Sequence, residues 1–368
     1  MGDSIVWVDF KTLENFMTDV FTGLGVPLEE ARICSEVLIT ADKRGIDSHG
    51  INRLKPIYYD RIKEGIQLPV SDIEIIKDGP TTAVIDGHNG MGHVVSHRAM
   101  KMAIDKASKF GMGMVAVRNS THYGIAGYYA TMAADAGMIG VTGTNARPSI
   151  APTFGIENML GTNPLVFGLP TDEAFPFCID CATSITQRGK IEIYARAGKQ
   201  LPEGWVIRDD GTAGIDSELT LKELIDGTAA LAPLGGIGED LGGYKGYGYA
   251  TVVEILSAAL AGGSFLKMLS GYENGKKVPY KLGHFFIAID ISQFIELEEF
   301  KKTAGDILRA LRASKRMPGE ERIFTAGEKE YDAWVYRQNK GVPLDKSLQK
   351  EIKIMEEELG IKGYSFPF

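Results

Sequence analysis

The segment Met112-Gly-Met-Val-Ala-Val-Arg-Asn-Ser-Thr-His-Tyr-Gly-Ile-Ala-Gly127 passes from one hydrophobic period to another. Its first part, 112–117, is short and apolar and predicts a buried β-strand. Residues 122–136 predict a helix that stops at Gly137. Ligands commonly bind where a strand passes into a helix in α/β proteins. This corner therefore predicts both an α/β fold and a binding site.

The same alternation of strands and helices continues on both sides of this corner. Short apolar runs bounded by Gly and Pro predict further strands, and longer apolar patterns predict helices. The strands are expected at 82–86, 138–143, 165–169, 176–180, 190–195 and 284–291, the helices at 93–108 and 249–262, and a loop-rich segment at 198–245. We therefore predict a mixed-sheet α/β domain over residues 76–295.

The two ends of the chain have a helical pattern instead. Apolar residues recur at helical spacing in 9–25 and 27–42, a third helix is predicted at 48–63, and the segment after 295 is helical and charged. No low-complexity linker separates these ends from the centre. We expect residues 1–75 and 296–368 to pack together as a second, discontinuous helical domain.

The composition narrows the class of protein. The 368 residues carry a formal net charge of −8, which disfavours a nucleic-acid partner. No apolar run approaches the ~20 residues of a membrane span, and the N-terminus lacks a signal-peptide pattern. The three cysteines, Cys34, Cys178 and Cys181, are few and odd in number, which does not suit a disulfide framework. A cytosolic protein without a membrane partner is expected.

Ser48-His-Gly-Ile-Asn-Arg53 is the first segment whose residues could bind a substrate or take part in catalysis. Ser48 is a good helix N-cap, and His49 and Arg53, four residues apart, would share one helical face. A carboxylate at that helix start would meet the Arg53 fork, with His49 beside it. The alternative is a capped surface helix with an incidental histidine.

His122 is the second candidate. In the first turn of the predicted helix, its charged form would be disfavoured, which suits a base near neutral pH. Gly124 and Gly127 would permit close approach of a ligand to the backbone. The alternative is a buried histidine whose nitrogens are satisfied in a glycine-rich packing corner.

The glycine-rich segment 235–248 is the third candidate, since it leads into a helix and contains Lys245. It has the composition of a pyrophosphate cradle but neither the Walker nor the Rossmann pattern, so a flexible surface loop is the alternative. His93 and His97 have the spacing of a zinc pair without an evident third ligand. A metal-dependent hydrolase built on them is a distant alternative.

Together these groups resemble a known family, the type-2 malate/L-lactate dehydrogenases, which also includes sulfolactate and ureidoglycolate dehydrogenases and a cyclic-imine carboxylate reductase. The similarity is ordered and extends from about residue 10 to 360, so the set is more specific than any single motif. The motifs are Asp47-Ser-His-Gly-Ile-Asn-Arg53, Thr121-His-Tyr-Gly-Ile-Ala-Gly127, Gly161-Thr-Asn-Pro164, Asp180-Cys-Ala-Thr-Ser184, Gly189-Lys190, Gly243-Tyr-Lys-Gly-Tyr-Gly248 and Met317-Pro-Gly-Glu320.

The resemblance implies a non-Rossmann domain that binds NAD or NADP, a homodimer and no metal. It implies that His122 accepts and donates the proton, while Ser48, His49 and Arg53 line the substrate side. It leaves open whether His49 polarises the carbonyl or is itself the base. The positions that it assigns to cofactor contacts are Asn145, Asp180, Cys181, Ala182, Lys245, Gly319 and Glu320.

The function implied is hydride transfer between NAD(P) and a small 2-hydroxy acid. The long segment 206–245 resembles the malate dehydrogenase members, so we expect malate and oxaloacetate as substrates. Lactate, sulfolactate, ureidoglycolate or a cyclic imine carboxylate on the same scaffold is the alternative. Many members carry a Tyr near position 57, where this chain has Ile57 followed by Tyr58. That departure concerns the shape of the substrate pocket.

Overall fold

The computed structural model describes residues 5–368. The α-helices of this range, in chain order, are α1 (Phe10–Gly23), α2 (Leu28–Lys43), α3 (Asp60–Lys63), α4 (Gly92–Phe110), α5 (Ala126–Asp135), α6 (Arg188–Arg196), α7 (Ser217–Asp226), α8 (Gly243–Ala258), α9 (Leu297–Arg312), α10 (Glu328–Arg337) and α11 (Lys346–Leu359). The strands are β1 (Val6–Val8), β2 (Glu74–Asp78), β3 (Thr82–Asp86), β4 (Met112–Ser120), β5 (Met138–Thr144), β6 (Leu165–Leu169), β7 (Phe177–Cys181), β8 (Val206–Arg208), β9 (Ala229–Leu231), β10 (Tyr272–Glu273), β11 (Lys276–Lys277), β12 (Leu282–Asp290) and β13 (Val342–Leu344).

A mixed sheet of seven strands forms the centre, in the order β2-β3-β4-β12-β5-β6-β7. β3 and β4 pair in parallel, whereas the other neighbouring pairs are antiparallel. Strand β12, which comes near the end of the sheet region in sequence, lies between β4 and β5. The sheet is therefore complete only when residues 282–290 have been added. The predicted mixed-sheet α/β class is confirmed.

The two faces of the sheet are covered by different helices because side chains alternate along each strand. Phe286 of β12 packs with α4 and α5, and its neighbour Phe285 packs against Val253 of α8 on the opposite face. Both phenylalanines are fully buried. The central strand is therefore apolar on both sides.

Residues from both ends of the chain meet in one hydrophobic core built mainly from helices. Phe16 of α1, Leu38 of α2 and Ile352 of α11 belong to one buried cluster, and β1 pairs antiparallel with β13. The cluster also takes in Met91 and Val94 from the neighbourhood of the sheet. The domain boundaries at 75/76 and 295/296 remain a prediction.

The region from about 150 to 250 differs from the prediction. Residues 190–195 form part of helix α6 and not a strand, because Ile191 and Tyr194, at helical spacing, pack on a third core. The alternation of Ile191 and Ile193 imitates a strand, but Ile193 is exposed. The expected loop over 198–245 contains α7 and the pair β8–β9.

The helix predicted at 48–63 is also irregular. It begins as a 3₁₀ turn at Ile51–Arg53, continues as a π-helix at Leu54–Tyr59 and ends as α3. Pro56 has no N–H to donate and disfavours a regular α-helical ladder at this point. Such π segments often occur at functional sites.

Candidate active site

His122 lies in the loop between β4 and α5, not in the first turn of the helix. α5 begins at Ala126, four residues later than predicted. Thr121 anchors this loop, because its hydroxyl accepts a bond from the Gly92 N–H (2.9 Å) and donates to the Gly90 carbonyl (2.8 Å). A Cβ on Gly92 would lie 2.3 Å from the backbone carbonyl oxygen of Thr121. Only glycine at position 92 therefore lets α4 approach the loop this closely.

Tyr58 is the hydrogen-bond partner of His122. Its hydroxyl lies 2.5 Å from the imidazole Nδ1, whereas the Gly124 N–H lies 3.4 Å from the same atom. Tyr58 belongs to the π-helix and is fully buried, with its ring 4.5 Å from that of His93. The sequence singled out Tyr58 only as a departure from a pattern and gave it no role.

His49 lies beside His122, although no regular helix carries it. The two imidazole rings are nearly parallel, at 18°, with their centroids 5.9 Å apart. The Ser48 hydroxyl lies 2.9 Å from Nδ1 of His49, and Nε of Arg53 donates to the Ser48 carbonyl at 2.5 Å. Ser48 is therefore not the predicted N-cap; its backbone orients Arg53 instead.

Asp42, at the end of α2, holds the turn before these residues. Its carboxyl is buried and accepts the Ile51 N–H at 2.9 Å. Gly50 lies so close that a Cβ there would clash with the carboxyl oxygens. Asp42 had no recognisable sequence signal, because its partner is a backbone group nine residues away.

The electrostatics of both histidines favour the neutral form. Burial, followed by the neighbouring His49 and Arg61, lowers the pKa of His122 well below its usual value. Burial and the charge of Arg53 lower the pKa of His49 to about 4. The expectation of a disfavoured imidazolium at His122 holds in direction. Its cause is burial and nearby charge, not the start of a helix.

A cavity of about 260 Å³ opens beside His49 and is lined by residues predicted for the substrate and by residues predicted for the cofactor. Its lining includes Ser48, His49, Asp180 and Ala182. A second cavity of about 400 Å³, between α2, β7 and α10, shares Ile46, Asp180 and Glu330 with the first. The two cavities therefore have part of their walls in common and are referred to together as the Asp180 cleft.

Asp180 connects the sheet to the histidine loop. It lies on β7, and its Oδ2 accepts the N–H of Gly127 in the first turn of α5 at 2.7 Å. Burial raises the pKa of this carboxyl, while the Gly127 bond and Arg44 act in the opposite direction. The adjacent Cys181 is half-buried, with its Sγ 3.9 Å from the Leu165 carbonyl oxygen.

The other predicted cofactor residues lie apart from this cleft. Asn145 is buried, and its amide bonds the Ser264 carbonyl and the Gly283 N–H. Gly319 and Glu320 are exposed in a turn. Neither they nor Lys245 lines the cavity next to His49.

The glycine-rich segment is neither a free loop nor part of the cavity wall. Its start pairs with the residues that follow β7, through the Leu234 N–H to the Thr183 carbonyl. It ends at α8, whose N-cap Gly242 offers no side-chain cap. Lys245 is exposed in the first turn of that helix.

The histidine pair proposed for zinc has no supporting cluster in the described chain. Among residues 5–368, no three His, Cys, Asp or Glu side chains come together as a metal site. His93 is buried against Tyr58, and burial lowers its pKa to about 3. Within the same range, no helix combines the length and the apolar character needed to span a bilayer.

Comparisons with known proteins match these features over nearly the whole chain. The sequence model described as malate/L-lactate dehydrogenase matches residues 8–353. Malate dehydrogenase of Pyrococcus horikoshii is 44% identical over 363 residues, 99% of this chain and 98% of that protein. L-sulfolactate dehydrogenase of Methanocaldococcus jannaschii is 38% identical over 348 residues, 95% of this chain and 96% of its own.

The fold agrees with the sequence. The crystal structure of malate dehydrogenase from Entamoeba histolytica superimposes with a TM-score of 0.94 at 46% identity, covering 99% of this chain and 100% of that one. Such agreement in sequence, length and sheet architecture goes beyond a shared fold class. The chain therefore belongs to the malate/L-lactate dehydrogenase family.

Proposed function

We propose that this protein is an NAD(P)-dependent dehydrogenase that interconverts malate and oxaloacetate. The observation that carries the proposal is the half-buried His122, which is bonded to Tyr58 and stacked near His49. His49 in turn lines the cavity that also contains Asp180. The names of the relatives support malate, with sulfolactate as a second 2-hydroxy acid. Both acids require the same proton transfer at C2.

His122 is the proton acceptor in this proposal. A base must present a free lone pair to the hydroxyl of the acid, so Nε2 accepts the proton and Nδ1 carries its own. Nδ1–H then donates to the Tyr58 oxygen, 2.5 Å away, and this bond strengthens when the imidazolium forms. In the reverse direction, the protonated His122 donates to the carbonyl oxygen of oxaloacetate.

Arg53 binds the carboxylate next to the reacting carbon. Its Nε is already committed to the Ser48 carbonyl, which leaves the two terminal nitrogens for a carboxylate. Among residues 5–368 no acidic side chain forms an ion pair with Arg53, so the substrate supplies the missing anion. His49, with Nδ1 held by Ser48, is in position to polarise the carbonyl.

The cleft around Asp180 fits a nicotinamide dinucleotide. Its two cavities, about 260 and 400 Å³, together have the extent of a large ligand, and the wall of the larger cavity is mostly apolar. Asp180 and Ala182 would contact the cofactor, and the uncapped start of α8 with Lys245 would attract its phosphates. When bound, the nicotinamide would accept the hydride from C2 of the hydroxy acid, or donate it to C2 of the oxo acid. The choice between NAD and NADP stays open.

We also propose a homodimer in the cytosol. Tyr249, Val252 and Ile255 of α8 are exposed, while Val253 of the same helix is buried against Phe285 of the sheet. A second copy covering the outer face would remove this apolar surface from water. The described chain holds its three cysteines free, in keeping with a reducing compartment.

The test is the absorbance of the reduced nicotinamide over time. We expect NADH or NADPH to be oxidised with oxaloacetate, and more slowly or not at all with pyruvate, in the presence of EDTA. His122→Ala is expected to lower kcat by about 10²–10⁴ while the cofactor still binds, and His49→Gln to have the smaller effect. Near-normal turnover of His122→Ala refutes the base assignment. Activity only with sulfopyruvate would replace malate by sulfolactate, and failure to bind either cofactor refutes the proposed function.

A further inference from the structure

Arg337, at the end of α10, bonds the chain just before the proposed substrate residues. Its Nη1 and Nη2 each donate to one carboxyl oxygen of Asp47, at 2.5 and 2.8 Å. Nη1 also donates to the backbone carbonyl of Asp42 at the end of α2, at 2.8 Å. Two parallel bonds to one carboxylate form a fork that lysine cannot reproduce. The Arg337 side chain is only 11% exposed, so water screens this pair less than a surface ion pair.

The bonded carboxylate belongs to a segment that we call the substrate turn, residues 46–53. Its first five residues form neither a helix nor a strand. The residue after Asp47 is Ser48, whose hydroxyl lies 2.9 Å from Nδ1 of His49 and whose carbonyl accepts Nε of Arg53 at 2.5 Å. A shift of the backbone at Asp47 therefore moves the imidazole and the guanidinium together.

Helix α10 is packed on two sides and offers the fork a fixed support. On one side, a Cβ on Gly45 would lie 2.8 Å from Cβ of Ala333, so the helix lies directly against the chain that leaves α2. On the other side, the Tyr331 ring lies 5.4 Å from the ring of Phe175, just before β7. Tyr331 also lines the larger cavity of the Asp180 cleft. The helix thus contacts both the cleft and the substrate turn.

We propose that Arg337 is a positioning residue, which fixes the substrate turn, and with it Arg53, through its fork on Asp47. Arg337 is not part of the wall of the cavity beside His49, so it acts through the turn. The proposal rests on the proposed function, because it concerns the residues that this function assigns to the acid. An ion pair that only stabilised the fold would affect binding of the acid and of the cofactor alike.

The experiment measures KM for oxaloacetate, KM for the reduced nicotinamide and kcat in Arg337→Gln, Arg337→Lys and a control, Arg208→Gln. Arg208 pairs with Glu223 at 3.1 Å, is 24% exposed, and lies in the wall of neither cavity of the cleft. We expect Arg337→Gln to raise KM for oxaloacetate roughly 10- to 100-fold, because a small displacement of Arg53 disorients the acid. Both kcat and KM for the nicotinamide should change less. Arg337→Lys should recover part of the loss, and the control should change neither KM.

Asp47→Asn tests the other half of the fork, and its exposed side chain makes it usable even if Arg337→Gln does not fold. It should raise KM for oxaloacetate in the same direction. Combined with Arg337→Gln it should add little, because both substitutions remove one interaction. Additive effects of the two substitutions, equal changes in KM for acid and cofactor, or a control that behaves like Arg337→Gln would overturn the proposal.

If the wild type turns over none of the acids tested, the proposed function fails separately. The role of Arg337 is then decided by hydrogen–deuterium exchange in peptides that cover the substrate turn, where the Ile51 N–H bonds the Asp42 carboxyl. Exchange of this segment must rise in Arg337→Gln or Asp47→Asn and stay at the wild-type rate in Arg208→Gln. Exchange that is unchanged, or that rises equally in the control, overturns the proposal.

Discussion

Tyr58 illustrates how much of this site depends on a single side chain without a motif of its own. It lies in the π-helix, where the wider turn differs from the regular helix that the sequence predicted. That path leads its hydroxyl to Nδ1 of His122 at 2.5 Å. The tyrosine contacts the base rather than the proposed substrate carboxylate, so it is a positioning residue.

Tyr58→Phe removes the oxygen that accepts the Nδ1 proton. We expect kcat for malate oxidation to fall about 5- to 10-fold, corresponding to roughly 1 kcal/mol for one hydrogen bond, with little change in KM. The imidazolium loses a stabilising partner, so the acidic limb of the kcat/KM profile should move to lower pH. A fall in rate without this displacement would indicate a merely structural role.

The pH dependence of the wild type follows from the lowered pKa of His122. Malate oxidation needs the neutral imidazole, which predominates above that pKa. We therefore expect kcat/KM for malate to be flat through neutral pH and to decline only when the pH falls well below the ordinary histidine range. An acidic limb near 6.5 would contradict the burial argument; the measurement is a profile of initial rates with saturating cofactor.

Asp42 makes a prediction about stability. Burial raises the pKa of its carboxyl to about 8, with Asp47 contributing and the Ile51 N–H opposing. The folded state thus holds a proton that the unfolded state releases near pH 4. This contribution to the free energy of unfolding is present in acid and is lost as the pH rises through about 8.

Asp42→Asn keeps an acceptor for the Ile51 N–H but cannot ionise. Urea unfolding of wild type and variant should therefore agree most closely in acid, and the variant should become relatively more stable as the pH rises from about 5 to about 9. Parallel curves at both pH values would show that Asp42 does not titrate in this range. Asp42→Ala, which leaves the buried N–H unpaired, should cost ~1–3 kcal/mol.

At the scale of elements, α4 and the His122 loop can approach closely only because residue 92 has no side chain. Gly92→Ala would bring a methyl to 2.3 Å from the Thr121 oxygen, a backbone atom that cannot move aside cheaply. We expect the loop to shift, with a loss of both stability and kcat. Gly189→Ala, on α6 with nothing within 4 Å of the new methyl, is the matched control and should be neutral or slightly stabilising. Equal behaviour of the two variants in thermal unfolding and in rate would refute the packing argument.

The same scale explains which elements could be predicted. Strand β3 and strand β6 have the predicted bounds 82–86 and 165–169, because each is a short apolar run between turns. The alternation of Ile191 and Ile193 predicts a strand, but the structure has helix α6 there, whose core contacts are made by Ile191 and Tyr194. A two-residue periodicity over a short segment cannot distinguish these cases until the packing partner is known.

At the scale of the whole molecule, the outer face of α8 predicts the oligomeric state. Val252→Lys with Ile255→Lys places charge on this face and should convert a dimer to a monomer, measured by light scattering on a sizing column. Ile225→Lys changes an equally exposed apolar residue on α7 and should leave the mass unchanged. A wild-type monomer, or a dimer that survives the double substitution, would rule out α8 as the interface.

The sequence by itself determined the α/β class, the helical ends and the family, because these depend on local periodicity and on an ordered set of motifs. It also singled out Ser48, His49, Arg53, His122 and Asp180, whose residue types suit the chemistry. It gave no sign of Tyr58 as the partner of His122 or of Asp42 beneath the turn. Nor did it reveal that Asn145 is bonded within the protein core.

Only the tertiary structure decided these contacts, since each joins groups that lie in different elements. Tyr58 and His122 are 64 residues apart, and Gly127 and Asp180 are 53 apart. The lowered pKa of His122 likewise comes from burial, which no local pattern encodes. Local pattern fixes what a segment becomes, whereas long-range packing fixes which side chains meet and in what charge state they meet.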